Sequence, residues 1–221
     1  MIKQIVCLAN SRKINGRCIA GKELGDTGAW IRPVSARLHE EVSEHERQYE
    51  DGSDPRVLDV IEIPMLQPKP GKFQRENWLL DPQYYWVKKD TLKANDLMNF
   101  VDNPPTLWVN RHSSYNGAND RIPLAVADNL TNSLELIFVE QLSLNVFAPG
   151  EAFGNKKRRV QADFSYNGDL YKLWVTDPKI ERSYLQQDNG TYQLDSSYLC
   201  ISLSEPYDEY CYKLVATIIS A

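Results

Sequence analysis

Residues Ala9–Ser35 read ANSRKINGRCIAGKELGDTGAWIRPVS. Ser11, Arg12, Lys13, Arg17, Trp30 and Arg32 crowd into this span, between the apolar run IVCLA (Ile5–Ala9) and the segment AWIRPV (Ala29–Val34) that closes it. A near-continuous apolar run marks a strand buried on both faces, so Lys3–Ala9 is expected to be one. Asn10–Gly16 and Gly25–Gly28 are rich in Asn, Ser and Gly, which supply local hydrogen bonds and permissive backbone angles, and both read as turns. Arg17–Ala20 and Ala29–Val34 then form two further strands. Strand alternation puts Trp30 and Arg32 on one face and Ile31 on the other, while Pro33 is expected to weaken the third strand or place it near a sheet edge. The stretch is thus a small sheet carrying a basic, aromatic surface.

Downstream, Arg56–Met65 (RVLDVIEIPM) and Phe73–Leu80 (FQRENWLL) complete a set of five short strands. Five strands within about 80 residues, with turns between them and one polar excursion, suit a small barrel. The excursion, His39–Pro55, is acidic, and Ser43 followed by Glu46 predicts a capping box on a short helix. Asp81–Asn132 reads as a connector. Asp90 is expected to cap a helix running to about Phe100, which Asn103-Pro104-Pro105 stops, and Ser113–Asp120 is a loop of turn formers.

The second half repeats the order of the first. Leu134–Phe147 is one long strand or two. Lys156-Lys157-Arg158-Arg159 opens the next strand, in which Ala162, Phe164 and Tyr166 alternate with Asp163 and Ser165. Asn167-Gly168 is a hairpin signal. In Leu170–Thr176, Tyr171, Leu173 and Val175 share one face, and Lys172, Trp174 and Thr176 the other. Asp177-Pro178 stops that strand, a polar helix or loop follows, and Tyr198–Leu203 and Tyr210–Ile219 close the chain. The expected fold is mainly β, with two small barrels at 1–89 and 133–221 joined by a partly helical connector at 90–132.

With 221 residues, 42% of them hydrophobic and 25% charged, the composition is that of an ordinary globular protein. No apolar run approaches the roughly 20 residues of a membrane-spanning helix, and the N-terminus lacks a signal-peptide pattern, so a cytoplasmic location is expected. The net charge of −5 argues against indiscriminate polyanion binding, but the charge is segregated. Met1–Lys22 holds five basic residues and no acid, whereas Glu40–Asp54 is dominated by acids. Cys7, Cys18, Cys200 and Cys211 form no CxxC pair, and His39, His45 and His112 add no ligand spacing, so no metal or cofactor is expected and the thiols read as reduced.

ANSRKINGRCIAGKEL, GAWIRPVS, the QRENWLL return, the NGANDR loop, DFSYNGDLYKLWVTDP and the ending LCISLSEPYDEYCYKLVATII together resemble the dual OB-containing domain family of prokaryotes. The resemblance runs from about Ile5 to Ile219, with the pieces in the expected order. The acidic stretch Glu40–Asp54 and the segment Asp90–Pro105 carry no match. The resemblance implies two OB barrels, a place in antiphage conflict systems, and nucleic-acid or nucleotide recognition.

OB barrels stack bases on one sheet face and hold phosphates with basic groups. On that expectation Ser11, Arg12, Lys13 and Arg17 would meet phosphate, and Trp30 and Arg32 a base or sugar. In the second half the corresponding set is Lys156, Lys157, Arg158 and Arg159 with Tyr171, Lys172 and Trp174. Gln74, Glu76 and Asn77 have the paired donors and acceptors that read a base edge. The plainer alternatives are that Trp30 and Trp174 fill core, that the KKRR run is a solvated turn, and that Gln74–Asn77 serve local structure. No catalytic residues are expected. Asp177-Pro178 lacks the following Asp/Glu-x-Lys of a metal-dependent nuclease, the glycines match no phosphate-cradling loop, and no Ser or His forms a visible nucleophile–base pair. The expected partners are single-stranded DNA or RNA and an effector protein of the same operon, with no membrane. The rival expectation is a scaffold subunit that carries such an effector enzyme.

Overall fold

A computed structural model describes all residues except Ile14, Asn15, Asp26 and Thr27. The sequence-based turns at Asn10–Gly16 and Gly25–Gly28 fall partly outside the described residues, and the described part of the first is corrected: Asn10–Lys13 and Gly16 are strand, held extended by pairing across to Ile19–Gly16. The chain forms two compact units. One holds Met1–Phe100 with Thr131–Ser133, and the other holds Val101–Leu130 with Leu134–Ala221.

The first unit contains β1 (Ile2–Lys13), β2 (Gly16–Glu23), β3 (Trp30–Val34), α1 (Glu44–Arg47), β4 (Asp59–Pro68), β5 (Asn77–Leu80) and β6 (Val87–Thr91). Its strands follow the order β1-β2-β3-β5-β4, and β4 pairs back onto β1, so five strands close into a barrel with β6 added beside β4. The length of β1 makes the closure possible. Ile2–Val6 pair with Pro64–Val60 of β4, while Ile5–Lys13 pair with Glu23–Gly16 of β2. A bulge between Cys7 and Ala9 bends the strand where it passes from one partner to the other. Gly21 is required at this crossing, because a Cβ there would run into the backbone carbonyl of Val6. β3 and β5 pair parallel, Arg32 opposite Asn77. Ile5, Cys7, Ile19, Ile31, Ile61, Ile63, Met65, Leu80 and Trp86 fill the interior. The predicted capping box is present on α1: the Ser43 hydroxyl accepts from the Glu46 backbone N–H, and the Glu46 carboxylate accepts from the Ser43 backbone N–H.

The expected helix from Asp90 to Phe100 is corrected. Asp90 lies within β6, opposite Val60 of β4, and the chain then makes a 3-10 turn over Ala94–Phe100 with only Leu97 buried. The physical reason is the open edge of β4. It takes Val87–Thr91 into the sheet before a helix can start, and the Lys88 ammonium reinforces the pairing by reaching Asp59 at 2.6 Å.

The second unit contains β7 (Arg121–Pro123), α2 (Leu124–Ala127), β8 (Leu134–Val139), β9 (Leu142–Phe147), β10 (Arg159–Tyr166), β11 (Asp169–Val175), α3 (Pro178–Tyr184), β12 (Gly190–Leu194), β13 (Ser197–Leu203) and β14 (Tyr210–Ser220). The sheet runs β12-β9-β10-β11-β14-β13-β8, with β7 on β14. This is the first unit's order with its first strand cut in two: β8 takes the role of the β4-facing half of β1, and β9 that of the β2-facing half. The parallel pairing recurs as β11 with β14, Trp174 opposite Leu214. The break at Glu140-Gln141 decides the sequence-level alternative in favour of two strands. The hairpin at Asn167-Gly168 is present, with positive φ at both residues (50° and 85°), as a primed turn demands. Inward alternation of Leu142, Leu144, Val146, Val160, Ala162, Phe164, Tyr171, Leu173 and Val175 builds the core. The polar stretch before Ser197 contains α3, which Asp177 caps by accepting from the Lys179 and Ile180 backbone N–H groups (2.9 and 3.2 Å), and the edge strand β12, which the sequence reading did not separate.

The connector supplies sheet edges rather than a free linker. Ala118 bridges Lys172 of β11, the Lys213 N–H of β14 bonds the Asp120 carbonyl at 2.8 Å, and Arg121–Pro123 continue along Tyr212–Tyr210. Residues 118–123 thereby occupy the gap where β11 and β14 diverge after only two paired positions. Next to this seam Lys213 is buried. Its ammonium donates to the Val109 carbonyl (2.8 Å) and to Asn110 Oδ1 (3.1 Å), with the Tyr171 ring beneath it.

Candidate nucleic-acid interface

Cross-strand register maps the outer face of the first barrel. Val6 lies opposite Lys22, Ala9 opposite Ala20, Ser11 opposite Cys18, and Lys22 opposite Trp30. That face is largely closed: Val6, Ala9, Ser11, Ala20, Lys22, Arg32 and Val34 are all buried. Trp30 is half-buried, with the Lys22 ammonium 5.5 Å from its ring centroid. Arg32 points into a polar cluster instead of solvent. Its guanidinium meets Glu76 at 2.9 Å, with only 4% of either side chain exposed, and donates to the Ser133 hydroxyl at 2.7 Å. Ser133 in turn bonds the Glu76 carboxylate, and the Asn77 amide donates to Gln74 Oε1 at 3.2 Å. Gln74, Glu76 and Asn77 are all buried. The structure thus brings Arg32 and the three base-edge residues together, as an internal network.

Arg12, Lys13 and Arg17 sit at the tip of the β1–β2 hairpin, Arg12 opposite Arg17, with Arg12 exposed and the other two half-buried. The run that is free of acids along the sequence is not free of them in space. Val42 forms two backbone hydrogen bonds with Arg17 (2.9 and 3.0 Å), which brings Glu41 so close that a Cβ on Gly16 would lie 2.7 Å from the Glu41 Cγ. Lys3 pairs with Glu23 at 2.8 Å.

The matching face of the second barrel is more open. Across the strands one row holds Thr191, Asn145, Gln161 and Trp174; the next holds Gln193, Ser143, Asp163 and Lys172; Phe147 and Arg159 stand opposite each other at the end. Trp174, Phe147, Arg159 and Lys172 are half-buried, as Trp30 is, but the strand positions around them are less closed. The Phe147 and Trp174 rings lie 5.7 Å apart, tilted by 34°, and the Arg159 guanidinium rests 4.1 Å from the Trp174 ring centroid. Such a cation–aromatic pair presents a flat, positively charged platform to a base and a phosphate. Lys172 is paired with Asp163 at 3.0 Å. Arg158 turns away and donates to the Leu185 and Gln187 carbonyls behind α3, so it anchors the loop, while Lys156 and Lys157 remain exposed. Tyr171, grouped with these residues in the sequence, is in the core.

Phe147 was missed by the sequence reading. Its signal was legible: Leu142, Leu144 and Val146 point inward, so the next residue is an aromatic on the outer face. Asn145 and the β12 residues Thr191 and Gln193 were missed for want of any strand expectation at Gly190–Leu194.

Burial raises the thiols of Cys7 and Cys211, to about 12 and about 11, so neither is a nucleophile at neutral pH. None of the four cysteines is in a disulfide. Among the described residues no group of three or more His, Cys, Asp or Glu side chains is placed to hold a metal, and no helix is long and apolar enough to cross a membrane.

No curated protein and no solved structure matches the chain. The family model of the dual OB-containing domain matches residues 3–218. With the barrel order found in the first unit and repeated in the second, the chain belongs to the dual OB-containing domain family.

Proposed function

We propose that this protein is a non-catalytic recognition module that binds nucleic acid, as single-stranded DNA or RNA or as a nucleotide, through the outer face of its second barrel. The observation that carries the reading is the stacked set of Trp174, Phe147 and Arg159, set against the first barrel's face, where the residues around Trp30 are buried. The tip residues Arg12, Lys13 and Arg17 are a second, electrostatic contact for phosphate. In a prokaryotic antiphage system, the setting the family resemblance suggests, such a module would present its ligand to an effector protein in the cytoplasm. The test is fluorescence anisotropy with labelled single-stranded DNA, single-stranded RNA and duplex DNA at two salt concentrations. Binding to a single strand that weakens steeply with salt supports the reading, and no binding at low salt removes it.

The scaffold reading has its own observation: the exposed carboxylates of Glu50 and Asp51 in the first unit, within a chain of net charge −5. Co-purification of an operon-encoded effector free of nucleic acid supports it.

A further inference from the structure

On the β12 side, the outer face of the second barrel carries two cross-strand pairs of polar side chains. The Thr191 hydroxyl of β12 donates to Asn145 Oδ1 of β9 at 2.6 Å. In the next row the Ser143 hydroxyl of β9 donates to Gln193 Oε1 of β12 at 2.9 Å. Each hydroxyl occupies an amide oxygen, and the amide nitrogens of Asn145 and Gln193 have no partner among the described residues. Gln193 is exposed and Asn145 half-buried, so both amides are open to a ligand. They are diagonal neighbours across the β9–β12 pair, a separation of about 7–8 Å that two side chains can close on one ring. Asn145 also stands two residues before Phe147 on the same face of β9, so a base lying against the Phe147 and Trp174 rings has Asn145 at its edge. The amide between Asn145 and Trp174 in the row, Gln161, is buried and directed at the Asn116 carbonyl (2.7 Å).

The chemistry of this corner selects its ligand. It offers uncharged donors, and β9 and β12 contain no Lys or Arg. A phosphate is drawn instead to Arg159 at the Phe147 end of the face, where the cation is. A base edge suits two amide donors if its exocyclic groups are acceptors. Adenine and cytosine carry an exocyclic amine, and guanine carries one beside its carbonyl. Thymine and uracil carry carbonyls alone, one on each side of the ring N–H. That N–H can be accepted by the remaining lone pairs of the Thr191 and Ser143 hydroxyls.

We infer that Asn145 and Gln193 are the base-reading residues of this face and that they select thymine or uracil. The inference rests on the nucleic-acid reading above and adds the class of base to it.

The test is fluorescence anisotropy with three short labelled single strands of equal length: oligothymidylate, oligodeoxycytidylate, and a strand in which difluorotoluene replaces thymine. Difluorotoluene keeps the shape of thymine and lacks its carbonyl acceptors. The native protein is expected to bind oligothymidylate roughly five- to thirtyfold more tightly than either comparison strand. Asn145→Ala/Gln193→Ala, confirmed as folded by its thermal melt, should bind all three within about twofold of one another. Trp174→Ala should weaken all three and keep their ranking. Equal affinity of the native protein for the three strands overturns the inference, and so does a preference for thymine that survives in the double variant. Binding that is lost in Trp174→Ala but shows no base preference overturns the base assignment and leaves the nucleic-acid reading standing. No binding to any strand removes both.

Discussion

The guanidinium of Arg159 lies over the indole of Trp174, 4.1 Å from its centroid, although the two residues sit on neighbouring strands and are not register partners. The pair is diagonal on the outer face, and Phe147 supports the indole from the next strand. Removing the platform should matter more to binding than to folding, since none of the three side chains belongs to the buried core. Arg159→Ala is expected to lower oligonucleotide affinity several-fold and to make the remaining binding less dependent on salt by about one phosphate contact. A salt titration of the variant beside the native protein reads both effects.

Arg32 and Glu76 form a buried ion pair, so breaking it from one side strands a charge. Glu76→Gln is expected to cost about 3–5 kcal/mol in urea unfolding. Arg32→Met combined with Glu76→Met should cost much less than Glu76→Gln alone, because no unpaired charge remains. If the double change is the more damaging, Ser133 and the polar cluster contribute more than the pair itself.

Lys213 gives stability a pH dependence. Burial is the largest influence and lowers its pKa from 10.5 to about 7, against the opposing pull of Asp120 and Asp169. Above about 7 the folded lysine is neutral while the unfolded one still binds a proton. Stability therefore rises with pH through this window and is lost as pH falls back toward 7. Cys7 and Cys211 act in the opposite sense above the ordinary thiol range, so the clean interval is about pH 7 to 8.5. Lys213→Met should flatten the rise, measured as urea midpoints across that interval.

Two local devices hold the first barrel's bends. Gly21→Ala drives a methyl into the Val6 carbonyl and should destabilise by more than about 2 kcal/mol, because backbone must move. Ser43→Ala removes the α1 cap and should cost about 1 kcal/mol. Thermal melts of both variants check the ranking.

Most of the fold was legible because its signals are local. Apolar alternation marked β10 and β11, Asn167-Gly168 marked their hairpin, and Ser43 with Glu46 marked α1. What escaped depends on partners distant in sequence. β6 and β12 are polar edge strands whose only reason to be extended is an open neighbour, β4 for one and β9 for the other. The same limit applies to the site. Residue type made Arg32, Gln74, Glu76 and Asn77 look like readers of a base, while their burial in one internal network is a property of the closed barrel. Trp30 and Trp174 look alike in sequence, and only the burial around them separates the two faces.

That separation is the most direct test. Anisotropy titrations of a labelled single strand should be run on Trp174→Ala and Trp30→Ala, each confirmed as folded. Stacking of a base on an aromatic platform is worth about 1–3 kcal/mol, so Trp174→Ala, which removes the ring under Arg159, should weaken binding by roughly five- to a hundredfold while Trp30→Ala leaves it within about twofold. The reverse pattern, binding lost with Trp30 and kept without Trp174, would contradict the assignment of the ligand to the second barrel.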